Sequence, residues 1–280
     1  MFQAPSKRGA AARALCLVGI VTLAGCSGQS KGPRPGLNVA DEALRNGSPQ
    51  IALQVALGIL ARSPDDVPAL LVQGDAATQL GNNADASTAF TRVLKLEPNS
   101  VHAKIGLGRV RLTTEPAEAE ALFQDAVRLD PGNINALNNL GIARDLQGRH
   151  REAQEAYRQV RASHPGNTAA LVNLALSLAM SGDSASAIQI MAPLADEPGA
   201  TMKVRHDYAA VLAMAGREAD AETILSRDLS PPEVRQVLEA FRQQRGNAAP
   251  AVSPVSLSPD SDRPASKATQ PRRPAAVRGN

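Results

Sequence analysis

Small and bulky apolar residues recur along the chain at an interval of about 34 residues. A small position recurs at Ala52, Ala86, Ala119, Ala153, Ala187 and Ala221. Four residues after each alanine stands an apolar residue: Ala56, Phe90, Phe123, Tyr157, Met191 and Leu225. A second small position precedes each alanine, at Ala40, Gly74, Gly108, Gly141, Ala175 and Ala209. Prolines close the units at Pro64, Pro98, Pro131, Pro165, Pro198 and Pro231.

This spacing predicts a unit of two antiparallel helices that cross at the small positions. Gly141 and Ala153 lie at such a crossing, where a larger side chain would push the helices apart. Gly148 supplies the turn between the helices, because glycine adopts positive φ without strain. Pro165 ends the second helix, since proline cannot continue the hydrogen-bond ladder. No unit can bury its own apolar face, so neighbouring units must stack.

The register resembles the tetratricopeptide repeat (TPR) over residues 35–232, although the tryptophan and tyrosine of the usual signature are missing. The resemblance implies an all-α superhelical solenoid of about six helix-turn-helix repeats. Residues 231–246 predict one more amphipathic helix that caps the end, with Val234, Leu238 and Phe241 on its apolar face. The third repeat departs from the pattern. Residues 111–116 replace the glycine turn, with Pro116 placed in the first turn of the following helix.

The first 25 residues have the layout of an export signal. Lys7, Arg8 and Arg13 form a basic region without acids, and an apolar run from residue 14 to residue 23 follows. That run is too short to span a bilayer as a stable helix. It ends in Leu-Ala-Gly-Cys, with the cysteine at Cys26. The alternative is an ordinary secretion signal in which the cysteine falls by chance.

The sequence around Cys26 resembles the lipobox of bacterial lipoproteins. The resemblance implies that the Cys26 thiol takes a diacylglycerol, that the signal peptide is cut before it, and that the new amine is acylated, commonly by palmitate. Ser27 follows in place of the aspartate that retains lipoproteins at the inner membrane. We therefore expect an outer-membrane protein that faces the periplasm. The expected segments are a signal peptide at 1–25, a linker at 26–36, the repeat array with its cap at 37–246, and a disordered Pro/Ala/Arg-rich tail at 247–280.

Composition narrows the possible functions. The chain has 27 acidic side chains and a formal net charge of +3, and removal of residues 1–25 takes away three positive charges and leaves a neutral chain. Neither the charge nor the 2% aromatic content is typical of a nucleic-acid binder. Cys26 is then the only cysteine, so no intrachain disulfide can form. No cofactor is expected beyond the covalent lipid on Cys26.

The sequence offers no recognisable catalytic or metal-binding motif. None of its four histidines has a second histidine or a cysteine at metal-ligand spacing. His150 and His164 fall in or near turns, where we expect exposed polar residues. No nucleophile elbow or phosphate loop is present. We therefore predict that the chain is not an enzyme. An envelope enzyme with a site composed across distant repeats stays the alternative from another functional class.

The first helices of a TPR array line a groove that binds peptides, and the register assigns six residues to that groove. They are Asn138, Ile142, Val172, Leu176, Met180 and His206. The alternative is that these residues are interhelical core, because core positions share the same helical spacing. A carboxylate clamp of the chaperone-binding type is rejected, since Asp207 stands where the clamp needs an arginine.

The second half of the chain resembles TadD, the TPR lipoprotein of the Flp (tight adherence) pilus machinery. The resemblance covers residues 138–150, 173–182, Pro193-Leu194-Ala195, Pro198-Gly199-Ala200, Val204-Arg205 and 228–231. It implies a pilotin-like factor that helps the outer-membrane secretin to reach its place or to assemble. The partner would then be a secretin or another pilus component, and the membrane would be reached through the lipid. The alternative is a TPR lipoprotein adaptor of a type IV pilus, of barrel assembly or of cell-wall enzymes.

Overall fold

A computed structural model of the protein describes residues 35–246, and all of their regular structure is helical. The helices are α1 (Pro35–Arg45), α2 (Pro49–Leu60), α3 (Val67–Gln79), α4 (Asn83–Leu96), α5 (Val101–Arg111), α6 (Pro116–Leu129), α7 (Ile134–Asp145), α8 (His150–Ser163), α9 (Thr168–Met180), α10 (Ser184–Asp196), α11 (Met202–Met214), α12 (Glu218–Leu225) and α13 (Pro231–Gly246). The predicted signal peptide, Cys26 and the tail at 247–280 lie outside the described residues. No helix of the described part is both long and apolar enough to cross a bilayer.

The helices pair into six repeats, α1–α2 through α11–α12, and each repeat packs on the next. Each second helix contacts the first helix of the following repeat, and consecutive first helices also contact one another. Contacts between consecutive second helices are absent within residues 35–246. The first helices therefore lie on the inner side of a curved stack and the second helices on its outer side. The predicted all-α solenoid is confirmed.

The small positions of the repeat are the places where the two helices touch. All six alanines of the register, from Ala52 to Ala221, are fully buried. A Cβ atom on Gly108 would stand 2.6 Å from the Phe123 ring, and one on Gly141 would overlap the Tyr157 ring. The predicted crossing is therefore confirmed, and a side chain at either position would require the aromatic ring opposite it to move.

The turn between the two helices of a repeat relies on a glycine with positive φ in five of the six repeats. Gly148, with φ of 72°, is representative, and its backbone N–H donates to the Asp145 carbonyl over 2.9 Å. The third repeat lacks this glycine, as the sequence indicates. There the backbone N–H of Glu115 donates to the Arg111 carbonyl, and α6 starts at Pro116. Proline is tolerated at that place because its missing N–H would have no helical partner.

Polar caps fix the start of the first helices and recur with the repeat. The side chains of Asp66, Asn133 and Asn167 each accept a hydrogen bond from a backbone N–H three residues later, over 2.9 to 3.0 Å. Each cap of this kind is worth about 1 kcal/mol. The caps therefore set where each first helix begins, and with it which residues reach the inner side.

The core is continuous through the second half of the array. One cluster of buried apolar side chains runs from Leu112 to Leu238 and joins the third, fourth, fifth and sixth repeats. Its last members, Val234 and Leu238, come from α13, which packs on α11 and α12. The predicted capping helix is thus confirmed. It covers the apolar end that the last repeat would otherwise expose to water.

Candidate partner-binding surface

The inner side of the last three repeats is built by α7, α9 and α11, which lie next to one another. An amide pair joins the first two of these helices, where Asn173 Nδ2 donates to Asn138 Oδ1 over 3.0 Å. Both asparagines are buried, so this hydrogen bond is shielded from water. Because a buried amide left without a partner costs about 1–3 kcal/mol, the pair fixes the register of α7 against α9.

The six residues assigned to the groove differ in exposure. Asn138, Ile142, Val172 and Leu176 are buried, at 8%, 6%, 3% and 7% exposed. Met180 and His206 are half-buried. The apolar members belong to the large core cluster, so they form the floor of the inner side rather than an open surface. A partner at this place would meet mainly Met180 and His206, and the role of all six in binding stays a prediction.

Helix α9 is enclosed on nearly every side. All eight residues from Val172 to Ala179 are buried, because α9 packs against α7, α8, α10 and α11. Its sequence is apolar around the whole helix, as expected for a helix without a solvent face. The exceptions are Asn173, which pairs with Asn138, and Ser177, which is fully buried and needs a polar partner.

The partner of Ser177 is Asp145, at the C-terminal end of α7. Ser177 Oγ donates to Asp145 Oδ1 over 2.7 Å, Tyr157 Oη donates to Oδ2 over 2.9 Å, and His150 Nδ1 lies 2.8 Å from Oδ1. Burial raises the pKa of the Asp145 carboxyl, while hydrogen bonds from His150, Ser177 and Tyr157 oppose that rise. Burial beside this carboxylate also raises the pKa of Tyr157 well above its ordinary value. The cluster joins the fourth repeat to the fifth.

The expectation that His150 is an exposed polar residue is wrong. Its side chain is only 14% exposed, and it is paired with Asp145 at the start of α8. The prediction that His150 lies next to a turn is confirmed, since α8 begins at His150. The Asp145 carboxylate, five residues earlier in the chain, pairs with the His150 ring and so accounts for its low exposure.

A second buried carboxylate, Glu120 of α6, joins the third repeat to the fourth. Glu120 is 5% exposed and accepts hydrogen bonds from Arg144 Nε over 3.1 Å, from Gln147 Nε2 over 3.0 Å and from Arg149. Arg144 also donates to the backbone carbonyl of Glu152 over 3.1 Å. The guanidinium groups of Arg144 and Arg149 thus compensate the charge of the buried Glu120 carboxylate. A buried carboxylate is tolerated when it is paired and hydrogen-bonded in this way.

The sixth repeat carries an ion pair beside the predicted groove residue His206. Arg205 Nε donates to Asp228 Oδ2 over 2.7 Å, and the same arginine donates to the Ala200 carbonyl over 2.6 Å. The Arg205 guanidinium holds the pKa of the Asp228 carboxyl below its usual range. His206 Nε2 lies 3.6 Å from Asp228 Oδ2, too far for a good hydrogen bond. The His206 Nε2 atom has no hydrogen-bond partner among the described residues.

The polar clusters do not have the geometry of a hydrolytic site. Ser177 and His150 both bond Asp145 through their side chains, so the carboxylate lies between them. In a catalytic triad the histidine must instead take the serine proton. Ser177 is also fully buried and cannot reach a substrate. Within residues 35–246, no group of three or more histidine, cysteine or carboxylate side chains is arranged to hold a metal ion.

Comparison with known proteins identifies the family. The family model described as tetratricopeptide repeat matches residues 37–86, 71–134 and 138–198, which together are more than half of the chain. The chain belongs to the tetratricopeptide-repeat family. TPR arrays are typically non-catalytic scaffolds for protein interactions, and this chain shares that architecture.

Individual TPR relatives cover the chain only in part. The CTR9 homolog protein of Arabidopsis thaliana is 36% identical over 107 residues, which are 37% of this chain and 10% of that protein. The chain thus spans about a tenth of that curated relative. Among solved structures, PilW, described as a widely conserved type IV pilus biogenesis factor, matches with a TM-score of 0.65 and 21% identity over 72% of this chain and 96% of its own. YrrB, described as a TPR protein with an unusual peptide-binding site, matches with a TM-score of 0.51 and 16% identity over 67% and 97%. Identities this low establish the fold alone.

The buried carboxylates between neighbouring repeats are residues that the register did not single out. Asp145 and Glu120 look like ordinary solvated charges in the sequence, because each stands in a helix rich in polar residues. The sequence nevertheless contains one indication of this contact. Ser177 interrupts an apolar helix and therefore needs a polar partner from a neighbouring repeat. Its partner, Asp145, precedes it by nearly one repeat.

Proposed function

We propose that the chain is an outer-membrane-anchored TPR scaffold that acts as a pilotin-like factor for the secretin of the Flp pilus. One observation carries the proposal. The segments that resemble TadD, residues 138–150 and 173–182, are also those that form the inner side of the fourth and fifth repeats and contribute most of the buried Asp145 cluster. The distinctive part of the sequence therefore coincides with the surface that a scaffold of this family would use.

The lipid anchor and the repeat array have separate tasks in this mechanism. Each CH₂ of an acyl chain buried in the bilayer contributes about 0.8 kcal/mol of membrane affinity, so several chains on Cys26 make attachment effectively permanent. The array binds a segment of the secretin subunit. A client held by an anchored protein has a high local concentration at the membrane, which favours its assembly there.

The client contact is expected to be mostly apolar and centred on Met180. Methionine adapts to partners of different shape, and His206 borders it with one polar group. The four buried groove residues support this surface from below and keep it rigid. Since the mature chain carries equal numbers of acidic and basic side chains, binding should change little between low and moderate salt.

Met180→Lys tests the client surface. A lysine at this place puts a charge into an apolar contact, and it lies at the C-terminal end of α9, where a cation is favourable to the helix. The variant should fold normally and lose secretin multimers and surface pili. The matched control is Met202→Lys, at an exposed residue at the start of α11. Equal secretin and pilus levels in the two folded variants, judged by circular dichroism, would contradict this surface.

Cys26→Ala tests the anchor independently of the client. The variant should lose acyl labelling and leave the outer-membrane fraction, while the soluble array stays folded. A Cys26→Ala protein that still co-fractionates with the outer membrane in high salt would place the anchor elsewhere.

A second candidate function is an adaptor of another envelope machine, such as a type IV pilus. The likeness to PilW favours it, although that likeness carries only the fold. Identification of the envelope protein that co-purifies with the wild type and is lost with Met180→Lys separates the two. A secretin or pilin of the Flp system supports the first candidate, and a type IV pilus component supports the second.

A further inference from the structure

The second helix of the first repeat, α2, differs from its counterparts in the other repeats. Its twelve residues include no charged side chain. The equivalent helix of the fourth repeat, α8, carries five arginine and glutamate side chains. Second helices lie on the outer side of the array, where charged residues are the rule. The absence of charge on this outer helix therefore indicates that another surface covers it.

Large apolar side chains are also exposed on this repeat. Ile51 and Leu57 of α2 are 55% and 41% exposed, and Val39 of α1 is 55% exposed. These are three of the six most exposed large apolar residues in the described part of the chain. Helix α10 of the fifth repeat also has little charge, but none of its large apolar side chains is among the six.

The two ends of the array differ in whether an additional helix covers them. At the C-terminal end, α13 covers the last repeat with Val234 and Leu238. In the described residues no helix precedes α1, so nothing equivalent covers the first repeat. Solenoids generally need end repeats with a polar outer face to remain soluble. In the first repeat, α1 carries Asp41, Glu42 and Arg45, so the face without charge is that of α2.

The position of Cys26 indicates what covers it. Eight residues separate Cys26 from the start of α1, and a chain of that length spans at most about 30 Å. Those residues include Lys31 and Arg34 and no acidic residue. A lipid on Cys26 would thus hold the first repeat close to a bilayer, and the two cations favour anionic headgroups.

We infer that the outward face of α2, which has Ile51 and Leu57 at its two edges and Gln54 and Gly58 between them, lies on the phospholipid surface of the membrane that holds the Cys26 lipid. This inference rests on the proposed function, because it requires the anchor. The uncharged face enters the headgroup region, as apolar faces of interfacial helices do. Tethering makes the contact intramolecular in effect, so a small apolar area suffices. The first repeat is then the membrane-facing end of the array, and the candidate surface of the fourth to sixth repeats is separated from the bilayer by the repeats between.

The test measures how close two positions lie to lipid in the full lipidated chain. The chain is reconstituted into vesicles of phosphatidylethanolamine and phosphatidylglycerol. Ile51→Cys and Met202→Cys variants carry an environment-sensitive fluorophore, and these residues are similarly exposed, at 55% and 51%. The Cys26 sulfur does not compete for the label when it bears the lipid. We expect the probe at position 51 to shift to the blue and to be quenched several-fold more by nitroxide lipids than the probe at position 202.

A second pair of variants tests the face itself. In the labelled Ile51→Cys chain, Leu57→Glu should reduce the quenching, since a charge disfavours entry into the headgroup region. Leu96→Glu, at an equally exposed residue of α4, should leave it unchanged.

The outcomes separate this inference from the proposed function on which it rests. Equal quenching at positions 51 and 202 in a chain that floats with the vesicles overturns the inference and leaves the anchor intact. A chain that does not float with the vesicles overturns both. A blue shift at position 51 that disappears on dilution of the protein in the membrane assigns the face to a second copy of the chain, and also overturns the inference.

Discussion

Single residues at the helix crossings decide whether a repeat can close. Gly141 faces the Tyr157 ring, and that ring is held in place because its hydroxyl donates to buried Asp145. Gly58 has the same residue type inside a helix but meets nothing within contact distance of a Cβ atom. The same substitution should therefore have opposite effects at the two positions.

We predict that Gly141→Ala destabilises the array by about 1–3 kcal/mol, since the ring cannot move aside without losing its hydrogen bond. Gly58→Ala should stabilise it by about 0.5–1 kcal/mol, because alanine restricts the unfolded chain more than glycine. Chemical denaturation of the two variants checks the sign. Stabilisation by both substitutions would show that the crossing has room for a side chain.

The Asp145 cluster gives a second prediction for a single residue. Asp145→Asn keeps the shape but places an amide N–H₂ group where the carboxylate accepts hydrogen bonds, so one buried donor loses its partner. We expect a loss of about 1–3 kcal/mol at neutral pH. Asp130→Asn, at an exposed residue after α6, should stay within about 0.5 kcal/mol. Similar losses for both variants in urea denaturation would contradict the role of the cluster.

These residues also show how far the sequence predicts the structure. The crossing glycine, the turn glycine Gly148 and Pro116 were predictable, because each position imposes a local steric requirement that few residues meet. The exposure of Ile142, Val172 and Leu176 was not predictable. Groove and core positions share the helical period, and only the tight packing of α7, α9 and α11 decides between them. The pairing of Asp145 with Ser177 depends on the same packing.

At the scale of elements, neighbouring helices are joined by a few buried charges as well as by apolar contacts. Arg205 of α11 reaches Asp228, which follows α12, and so closes the sixth repeat onto the segment that leads into α13. Glu120 joins α6 to α7 and to the turn before α8 in a similar way. Ion pairs of this kind make parts of the fold sensitive to pH.

The Arg205–Asp228 pair predicts a defined dependence on pH. The pKa of Asp228 is lowered from 3.8 in the folded chain, so the unfolded chain binds a proton first as the pH falls. The stability that Asp228 contributes is therefore complete above pH 3.8 and is lost as the pH falls through the lower folded value. The difference in unfolding free energy between the wild type and Asp228→Asn should shrink as the pH falls below 3.8. A difference that stays unchanged in that acid range would contradict the pairing.

At the scale of the whole molecule, the first repeat and the last three repeats differ in surface and in core. The first repeat presents an uncharged outer helix, and the last three repeats share one continuous core capped by α13. A continuous core makes the candidate surface rigid, so a client meets a preformed surface and little ordering is required on binding. The proposal of a membrane-anchored scaffold joins these two regions in one mechanism.

The most direct test of that central claim is photo-crosslinking in living cells from a single position of the lipidated chain. A photoreactive amino acid replaces Met180 in one strain and Met202 in another, and the crosslinked proteins are identified by mass spectrometry. The account predicts a crosslink from position 180 to the secretin in the outer membrane, absent from position 202 and absent when Cys26→Ala removes the anchor. A secretin crosslink of equal strength from both positions, or none from position 180 in a strain that makes normal pili, would contradict it.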